Sequence, residues 1–411
     1  MLQLARSRGA VPGTYGRLTG TSGKALRERT DEEPASIRAP QLEQTNSTAQ
    51  VGDRAVIKLV RQVETGPNAE IELGSYFAEH APSARVARVL GSLSYKRPVG
   101  DAAAIAIVTG FVPNEGLAWD LFTSDLDSLF ERALSLTEDP PPPAPPATGR
   151  GGGPFTPPPP PVALAGQPPR WARQLGLVTA EVHAALARGT TPEFEPEPFT
   201  PLYQQSLYQR ARSLFVRTIE GLERMLFRLP EEATTHVRDL LDSRAEVDRR
   251  LARILEPVET QRIRCHGDLH LGQVLFTGDD FVIIDFEGEP ARPLMERRYK
   301  RSALRDVAGM LRSFSYVAES GLRDGRQRLQ DHPRLRPWAH SWASWTSATY
   351  LEGYLTAVGG AGFIPRASSL RGLLLDFYAM EKCIYEIGYE LDSRPAWLSI
   401  PVRGLLDRLV T

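Results

Sequence analysis

The sequence predicts an α+β protein of two lobes, a small antiparallel-sheet lobe followed by a larger helical one. Three observations carry this. Short β-branched runs cluster before residue 113. Segments with helical apolar spacing fill most of the chain after residue 169. One strand–turn–strand signature interrupts those helices at 274–285. With 411 residues, 41% apolar and 24% charged, the chain can build domain-sized cores of an ordinary globular kind.

The elements follow in order. Residues 1–35 are polar and Gly-rich and end in RERTDEEP, so a short, loosely packed leader is expected. Its GTSGK (20–24) only superficially suggests a phosphate loop. A P-loop needs Gly five residues before the Gly-Lys pair and Ser or Thr after it, and Leu18 and Ala25 stand there. Residues 36–63 read as three short strands, separated by EQTNS (43–47) and a GDR turn. Residues 68–80 read as a helix, with Asn68 at its start and Ile71, Leu73, Tyr76 and Phe77 at helical spacing. ARVARVLGSLSYKR (84–97) and AAAIAIVTGFVP (102–113) read as two more strands. Residues 139–169 are mostly Pro and Gly and are expected to form a disordered insertion that packs no core. Six segments from RWARQLGLVTAEVHAALA to LRGLLLDFYAMEKCIYEIGYEL are helical. The expected divisions are a leader at 1–35, a sheet lobe at 36–113 and a helical lobe at 114–411.

Composition removes several function classes. A net charge of −1 offers no field for nucleic acid or an anionic membrane, so neither is expected as a partner. Cys265 and Cys383 are too few for a disulfide framework or a Cys-rich zinc site and suit a reducing cytoplasm. No apolar run is long enough to span a bilayer, and MLQLARSRGAVPG lacks the long apolar region of a signal peptide, so a cytoplasmic location is expected.

The chemistry concentrates in CHGDLHLGQVLFTGDDFVIIDFEG (265–288). Gln273 lies five residues after Asp268, and Asp285 seventeen after it. The VLF-TGDD-FVIID hairpin returns Asp285 to the loop that carries the other two. A phosphoryl-transfer site uses such a set. One carboxylate accepts the acceptor's proton, while an amide oxygen and a second carboxylate hold Mg²⁺ against a nucleotide. The plainer reading is an ordinary hairpin with surface Asp residues. A zinc site at Cys265, His266 and His270 lacks any metal-binding frame, and His266 suits support of the catalytic loop better.

An independent test lies upstream. A kinase of this layout needs a strand lysine and a helix glutamate to orient it. AVIKLV supplies Lys58, whose plainer reading is an exposed strand position. The next helix supplies Glu72, one residue before Leu73 and four before Tyr76, with Glu70 as the second choice. Between the first two strands, backbone amides and the side chains of Thr45, Asn46 and Ser47 can donate to phosphate. Far downstream, Lys382, Tyr385, Glu386 and Tyr389 share a helical face with Trp397 just beyond. That mixture suits a sugar, although an aromatic stripe at this spacing is more often core. The plainer reading also goes to Asp306 and His183, as structural residues, and to ERRYKR (296–301), as a solvated basic face that could also neutralise phosphate.

HGDLHLGQVL and IIDFEGEP resemble the HGDxHxxN…DFE/D pattern of the aminoglycoside phosphotransferase/choline kinase-like superfamily, relatives of the protein kinases. LEQTNSTAQVGDRAVIKL, GPNAEIELGSYF, FVPNEGLAWD and EKCIYEIGYELDSRPAWLSIPVRGL are similar to the maltokinases, including those fused to trehalose synthase; Gln273 in place of Asn is also a feature of that family. The resemblance covers about 36–411 except the Pro-rich insertion, and 1–35 would be a reduced form of the family's N-terminal cap. It implies a bilobal protein-kinase-like fold and transfer of the ATP γ-phosphate to the anomeric hydroxyl of maltose, feeding glycogen and α-glucan synthesis. Asp268 would be the base, with Gln273, Asp285 and Glu287 around Mg²⁺. Lys58, held by Glu72, would bind phosphate, and Thr109 and Phe111 would lie at the adenine hinge. Lys382, Tyr385, Glu386, Tyr389, Trp397 and His270 would face the sugar, and trehalose synthase would be a possible partner. Two alternatives stand beside this reading: another sugar or small-molecule kinase of the same fold, and a non-catalytic pseudokinase module.

Overall fold

The computed structural model describes residues 1–27, 36–38, 47–145, 157–164, 168–323 and 327–410. Along the chain run α1 (Leu2–Arg6), β1 (Ala10–Gly13), β2 (Gly16–Ser22), α2 (Lys24–Arg27), β3 (Ile37–Arg38), β4 (Ser47–Val51), β5 (Ala55–Leu59), α3 (Ala69–His80), β6 (Val89–Lys96), β7 (Ala103–Gly110) and β8 (Gly116–Leu117). Then come α4 (Ala118–Ser135), α5 (Pro168–Leu186), β9 (Glu197–Pro198), α6 (Pro201–Met225), α7 (Glu231–Asp242), α8 (Arg244–Ala252), β10 (Gln261–Arg262), β11 (Val274–Phe276), β12 (Phe281–Ile283) and α9 (Leu294–Arg297). The chain ends with α10 (Leu304–Arg323), α11 (His332–Val358), α12 (Ser368–Ser393) and α13 (Ser399–Val410). The α+β class with a sheet unit and a helical unit is the one the sequence predicts. The sheet unit comprises 1–118, 266–268 and 272–299, and the helical unit the rest.

The sheet unit is built on one antiparallel sheet of order β1-β2-β6-β7-β5-β4-β3. Its β-branched strands bury Leu93, Ala106 and Val108 together with Ala5 of α1 and Leu26 of α2. The described part of the leader expected to be loosely packed, residues 1–27, therefore contributes to this core. β2 pairs with β6 over Arg17–Ser22 and Gly91–Lys96, so the N-terminal segment extends the sheet. Two contacts fix α3. Asn68 caps it by accepting a hydrogen bond from Ile71 N (3.1 Å). Gly74 lets it approach β6 so closely that a Cβ there would lie 2.1 Å from Val89 Cγ2. The β11–β12 hairpin forms as expected, with Val274 opposite Ile283. It is fastened to the sheet unit by a parallel bridge between Val86 and Ile283 and by pairing of β11 with β8.

In the helical unit α5 and α12 pack on α11 and α10. The insertion expected to be disordered over 139–169 is ordered in part. Pro141 and Pro142 carbonyls accept from Ser341 Oγ (2.7 Å) and Trp345 Nε1 (2.9 Å), and Ala144 N donates to Ser344 Oγ (3.0 Å). A proline run cannot hydrogen-bond to itself, but its carbonyls remain acceptors for side chains on a neighbouring helix.

One ion network joins three helices of this unit. Buried Glu319 on α10 accepts from Arg336 (3.1 Å) and His340 (3.0 Å) of α11 and from Arg403 of α13. Burial alone would raise its carboxyl pKa, but the His340 hydrogen bond and the Arg403 and Arg336 charges outweigh it and hold it at about 2. The folded carboxyl thus binds its proton less tightly than the unfolded one. Its contribution is present above about pH 4.5 and is lost as pH falls toward 2. Glu319→Gln should cost about 3 kcal/mol at pH 7, and the deficit should shrink steadily between pH 4.5 and 3. Denaturant midpoints of both proteins across that range measure this; a deficit constant with pH would contradict it.

Candidate active site

The sheet unit brings its polar residues together around Lys58. Along β5 the apolar residues Ala55 and Ile57 bury into the sheet core. Lys58 is only 9% exposed. Its Nζ donates to Glu70 Oε2 (3.0 Å), to Glu287 Oε1 (2.7 Å) and to Asp285. Burial alone would lower the ammonium pKa, but the charges of Glu70, Asp285 and Glu287 outweigh it and raise it. For Glu70, burial pushes the carboxyl up to about 7 against the pull of Lys58, and Asp285 and Glu287 add to the rise.

The helix partner of Lys58 is therefore Glu70, which corrects the assignment to Glu72. Glu70, Leu73, Gly74 and Phe77 form the buried stripe of α3, at the spacing of a single helix face. Glu72 lies about 200° around the helix from Glu70 and binds Arg298 through two hydrogen bonds (3.1 and 2.6 Å). The step from Glu72 to Tyr76 was a weaker guide than the full stripe begun at Glu70.

Asp285 follows β12 with φ +65°, a left-handed conformation seldom adopted outside glycine. Such backbone persists where the surroundings over-determine it. Here Lys58 holds one carboxylate oxygen and Gln273 Nε2 donates to the other (3.0 Å), while Ile284 N donates to Gln273 O (3.0 Å). Phe286 packs between Phe77 of α3 (5.3 Å between centroids) and His266 (4.7 Å). His266 also joins the two acidic loops. Its Nε2 donates to Ile284 O (2.8 Å), and its Nδ1 accepts from Asp268 N (3.3 Å). Between them Gly267, at φ +88°, passes so near Gly288 that a Cβ would sit 3.3 Å from the Gly288 Cα.

Oxygens of Glu70, Asp285 and Glu287 lie within 4.8 Å of one another. With all three carboxyls ionised, one ammonium leaves two negative charges, the amount a divalent cation neutralises, and hard oxygen donors suit Mg²⁺. The donor set fits the ion that the sequence resemblance implies. Gln273 presents its amide nitrogen to Asp285, so ligation by its oxygen requires the amide to rotate.

The remaining predicted residues are distributed as follows. Thr45 and Asn46 lie outside the described residues. Ser47 opens β4, and its Oγ accepts from Arg61 Nε (3.0 Å). Thr109 pairs with Val56 across β7 and β5, and Phe111 N donates to Arg54 O (3.2 Å), so both sit on the sheet that carries Lys58. His270 belongs to the helical unit, as do the C-terminal candidates. There Lys382 Nζ lies 5.2 Å from the Tyr385 ring centre. Glu386 follows one turn after Lys382 on the same helix. It is buried and accepts from Arg312 Nε (3.2 Å) and Nη2 (3.0 Å), which corrects its assignment to a sugar-facing surface. Tyr389 and Trp397 flank the Arg394 guanidinium at 5.5 and 5.1 Å. Arg394 also pairs with Glu390 (2.8 Å), a four-residue step visible in the sequence. His183 is a satisfied core residue, bonded to Tyr354 OH (2.9 Å) and Asp306 Oδ2 (3.2 Å). Cys265 approaches that pair, but burial raises its thiol pKa well above the ordinary value.

Fold and site together define a phosphotransferase of the kinase-like class. The sequence profile of the phosphotransferase enzyme family (APH) matches residues 36–338, and the chain belongs to that family. A glucosamine kinase of Streptacidiphilus jiangxiensis is 26% identical over 385 residues, covering 90% of this chain and 72% of the relative. A glucosamine kinase of Mycolicibacterium smegmatis is 49% identical over 53 residues, 13% of each chain. A solved glucosamine kinase in complex with glucosamine, ADP and inorganic phosphate superposes with a TM-score of 0.64 at 21% identity, covering 99% of this chain and 81% of that one, a likeness of fold.

Proposed function

We propose that the chain is an ATP-dependent, Mg²⁺-requiring sugar kinase whose acceptor is an amino sugar of the glucosamine class. One observation carries the kinase reading: Lys58 is held at once by the helix carboxylate Glu70 and by Asp285 and Glu287 beyond the hairpin. A buried lysine so placed is poised to exchange one carboxylate for a nucleotide phosphate while Glu70 keeps its aim. Asp268 takes the proton from the acceptor hydroxyl as its oxygen attacks the γ-phosphorus of ATP and the bond from that phosphorus to the departing ADP oxygen breaks. His266 keeps the Asp268 loop and the Asp285 segment in register. When bound, Mg²⁺ supplies positive charge to the phosphate oxygens. The glucosamine kinase relatives support the amino-sugar acceptor.

Maltose, phosphorylated at its anomeric hydroxyl, is the second reading. The stretches from LEQTNSTAQVGDRAVIKL to EKCIYEIGYELDSRPAWLSIPVRGL favour it, and it would bring trehalose synthase with it as a possible partner. Retention of Lys58, Asp268 and Asp285 argues against a non-catalytic module.

The deciding experiment follows phosphate transfer from ATP to glucosamine, glucose, maltose, choline and kanamycin, with and without Mg²⁺. Glucosamine should give the highest kcat/KM, exceeding glucose by roughly two or more orders of magnitude, because a site built for an amine leaves buried polar groups unpaired with the analogue that lacks it. A maximum at maltose would replace the amino-sugar reading. No transfer to any acceptor would end the kinase reading.

A further inference from the structure

The basic run ERRYKR at 296–301 does not form a solvated face. Arg297 Nη2 lies 3.5 Å from Glu64 Oε1, and the same guanidinium donates to the Pro290 and Arg292 carbonyls (2.8 Å each). Glu64 Oε2 also accepts from Leu294 N (3.2 Å), at the start of α9. Arg298 holds Glu72 through two hydrogen bonds, and each of these two side chains is only 19% exposed. Two neighbouring arginines thus reach two different parts of one connection. Arg297 fixes the loop between β5 and α3, and Arg298 fixes α3 itself.

The geometry points to Arg298 as a positioning residue for the Lys58–Glu70 pair, acting through Glu72. α3 carries Glu70 toward Lys58 on one side and Glu72 toward Arg298 on nearly the opposite side. Rotation of α3 that withdraws Glu70 from Lys58 must also break the two bonds to Arg298. The segment that braces α3 is the same one that supplies Asp285 and Glu287, thirteen and eleven residues before Arg298. Helix and acidic segment are therefore kept in one register by a link outside the site. The kinetic consequence rests on the kinase reading above, whereas the mechanical one does not. A forked guanidinium matters here because a lysine would keep the charge and lose the two-point grip.

The test compares wild type with Arg298→Lys, Arg298→Glu, Glu72→Arg and the double swap Arg298→Glu/Glu72→Arg. Hydrogen exchange of the α3 amides, which needs no turnover, should quicken about tenfold in each charge-reversed single variant, less in Arg298→Lys, and return toward wild type in the double swap. In kinetic assays kcat/KM for ATP should fall about 10- to 100-fold in the single reversals, with the acceptor KM unchanged and the double swap recovering most of the loss. Unchanged α3 exchange in Arg298→Glu overturns the proposal. So does a loss of kcat/KM for ATP matched by an equal rise in acceptor KM, which would indicate general damage. Wild-type protein that transfers phosphate to no acceptor would end the kinase reading, and the exchange measurement would still decide the brace.

Discussion

Asp268→Asn is expected to lower phosphate transfer by about 10²- to 10⁴-fold, the usual contribution of a positioned general base, while ATP binding and thermal midpoint stay near wild type. The substitution is isosteric and keeps the contacts of the loop backbone. Its course is set by Gly267 at φ +88°, by the hydrogen bond from Asp268 N to His266 Nδ1, and by the bond from His266 Nε2 to Ile284 O. All of these are main-chain or histidine contacts that Asn leaves in place. What Asn cannot do is accept a proton from a hydroxyl at neutral pH. Single-turnover transfer with saturating ATP isolates that step from binding. Transfer at the wild-type rate in a normally folded Asp268→Asn protein would remove Asp268 from the reaction.

The parts of this molecule that were legible in sequence are those whose signals are local. The β11–β12 hairpin carries apolar strands around a Gly-containing turn, and that alone returns Asp285 to Gln273. The strand lysine and the capped helix after it are likewise local. The failures share a different cause. The leader reads as loose because β2, which pairs locally only with the short β1, is joined to the rest of the sheet by β6, about seventy residues later in the chain. The prolines at 141 and 142 read as unstructured because their partners lie on α11, about two hundred residues away. Glu386 reads as a sugar ligand because Arg312, which takes it, is seventy-four residues earlier. Glu70 is the exception, since its stripe with Leu73, Gly74 and Phe77 was present locally. The basic run at 296–301 reads as solvated for the same reason as Glu386: Glu64 and Glu72, the acidic partners of Arg297 and Arg298, belong to the other end of the sheet unit's sequence, and Glu197, the partner of Lys300, lies about a hundred residues earlier.

Lys58→Met should abolish transfer and also destabilise the protein by about 3–5 kcal/mol, the range for removing one partner of a buried ionic cluster. The methyl thioether fills much of the lysine's volume, so cavity formation is a minor part of the cost. The major part is electrostatic. Glu70, Asp285 and Glu287 keep their mutual repulsion and lose the ammonium that they share. Glu70 responds first, because its carboxyl is already raised to about 7 by burial and Lys58 was the main influence holding it down. Without Lys58 its pKa rises further, and the buried carboxyl stays protonated at neutral pH. A carboxyl that binds its proton more tightly folded than unfolded loses stability as pH rises, so the deficit of Lys58→Met should grow from pH 6 to pH 8.5. Adding Glu70→Gln removes that titrating group. The double variant should regain a large share of the lost stability, and its deficit should become nearly flat with pH. It should regain no transfer, since neither methionine nor glutamine can hold a phosphate as the lysine does. Denaturant midpoints at pH 6 and 8.5, together with transfer rates for both variants, separate the two roles of Lys58. Recovery of transfer along with stability would mean that Lys58 is only a structural counter-ion and that the phosphate is held elsewhere.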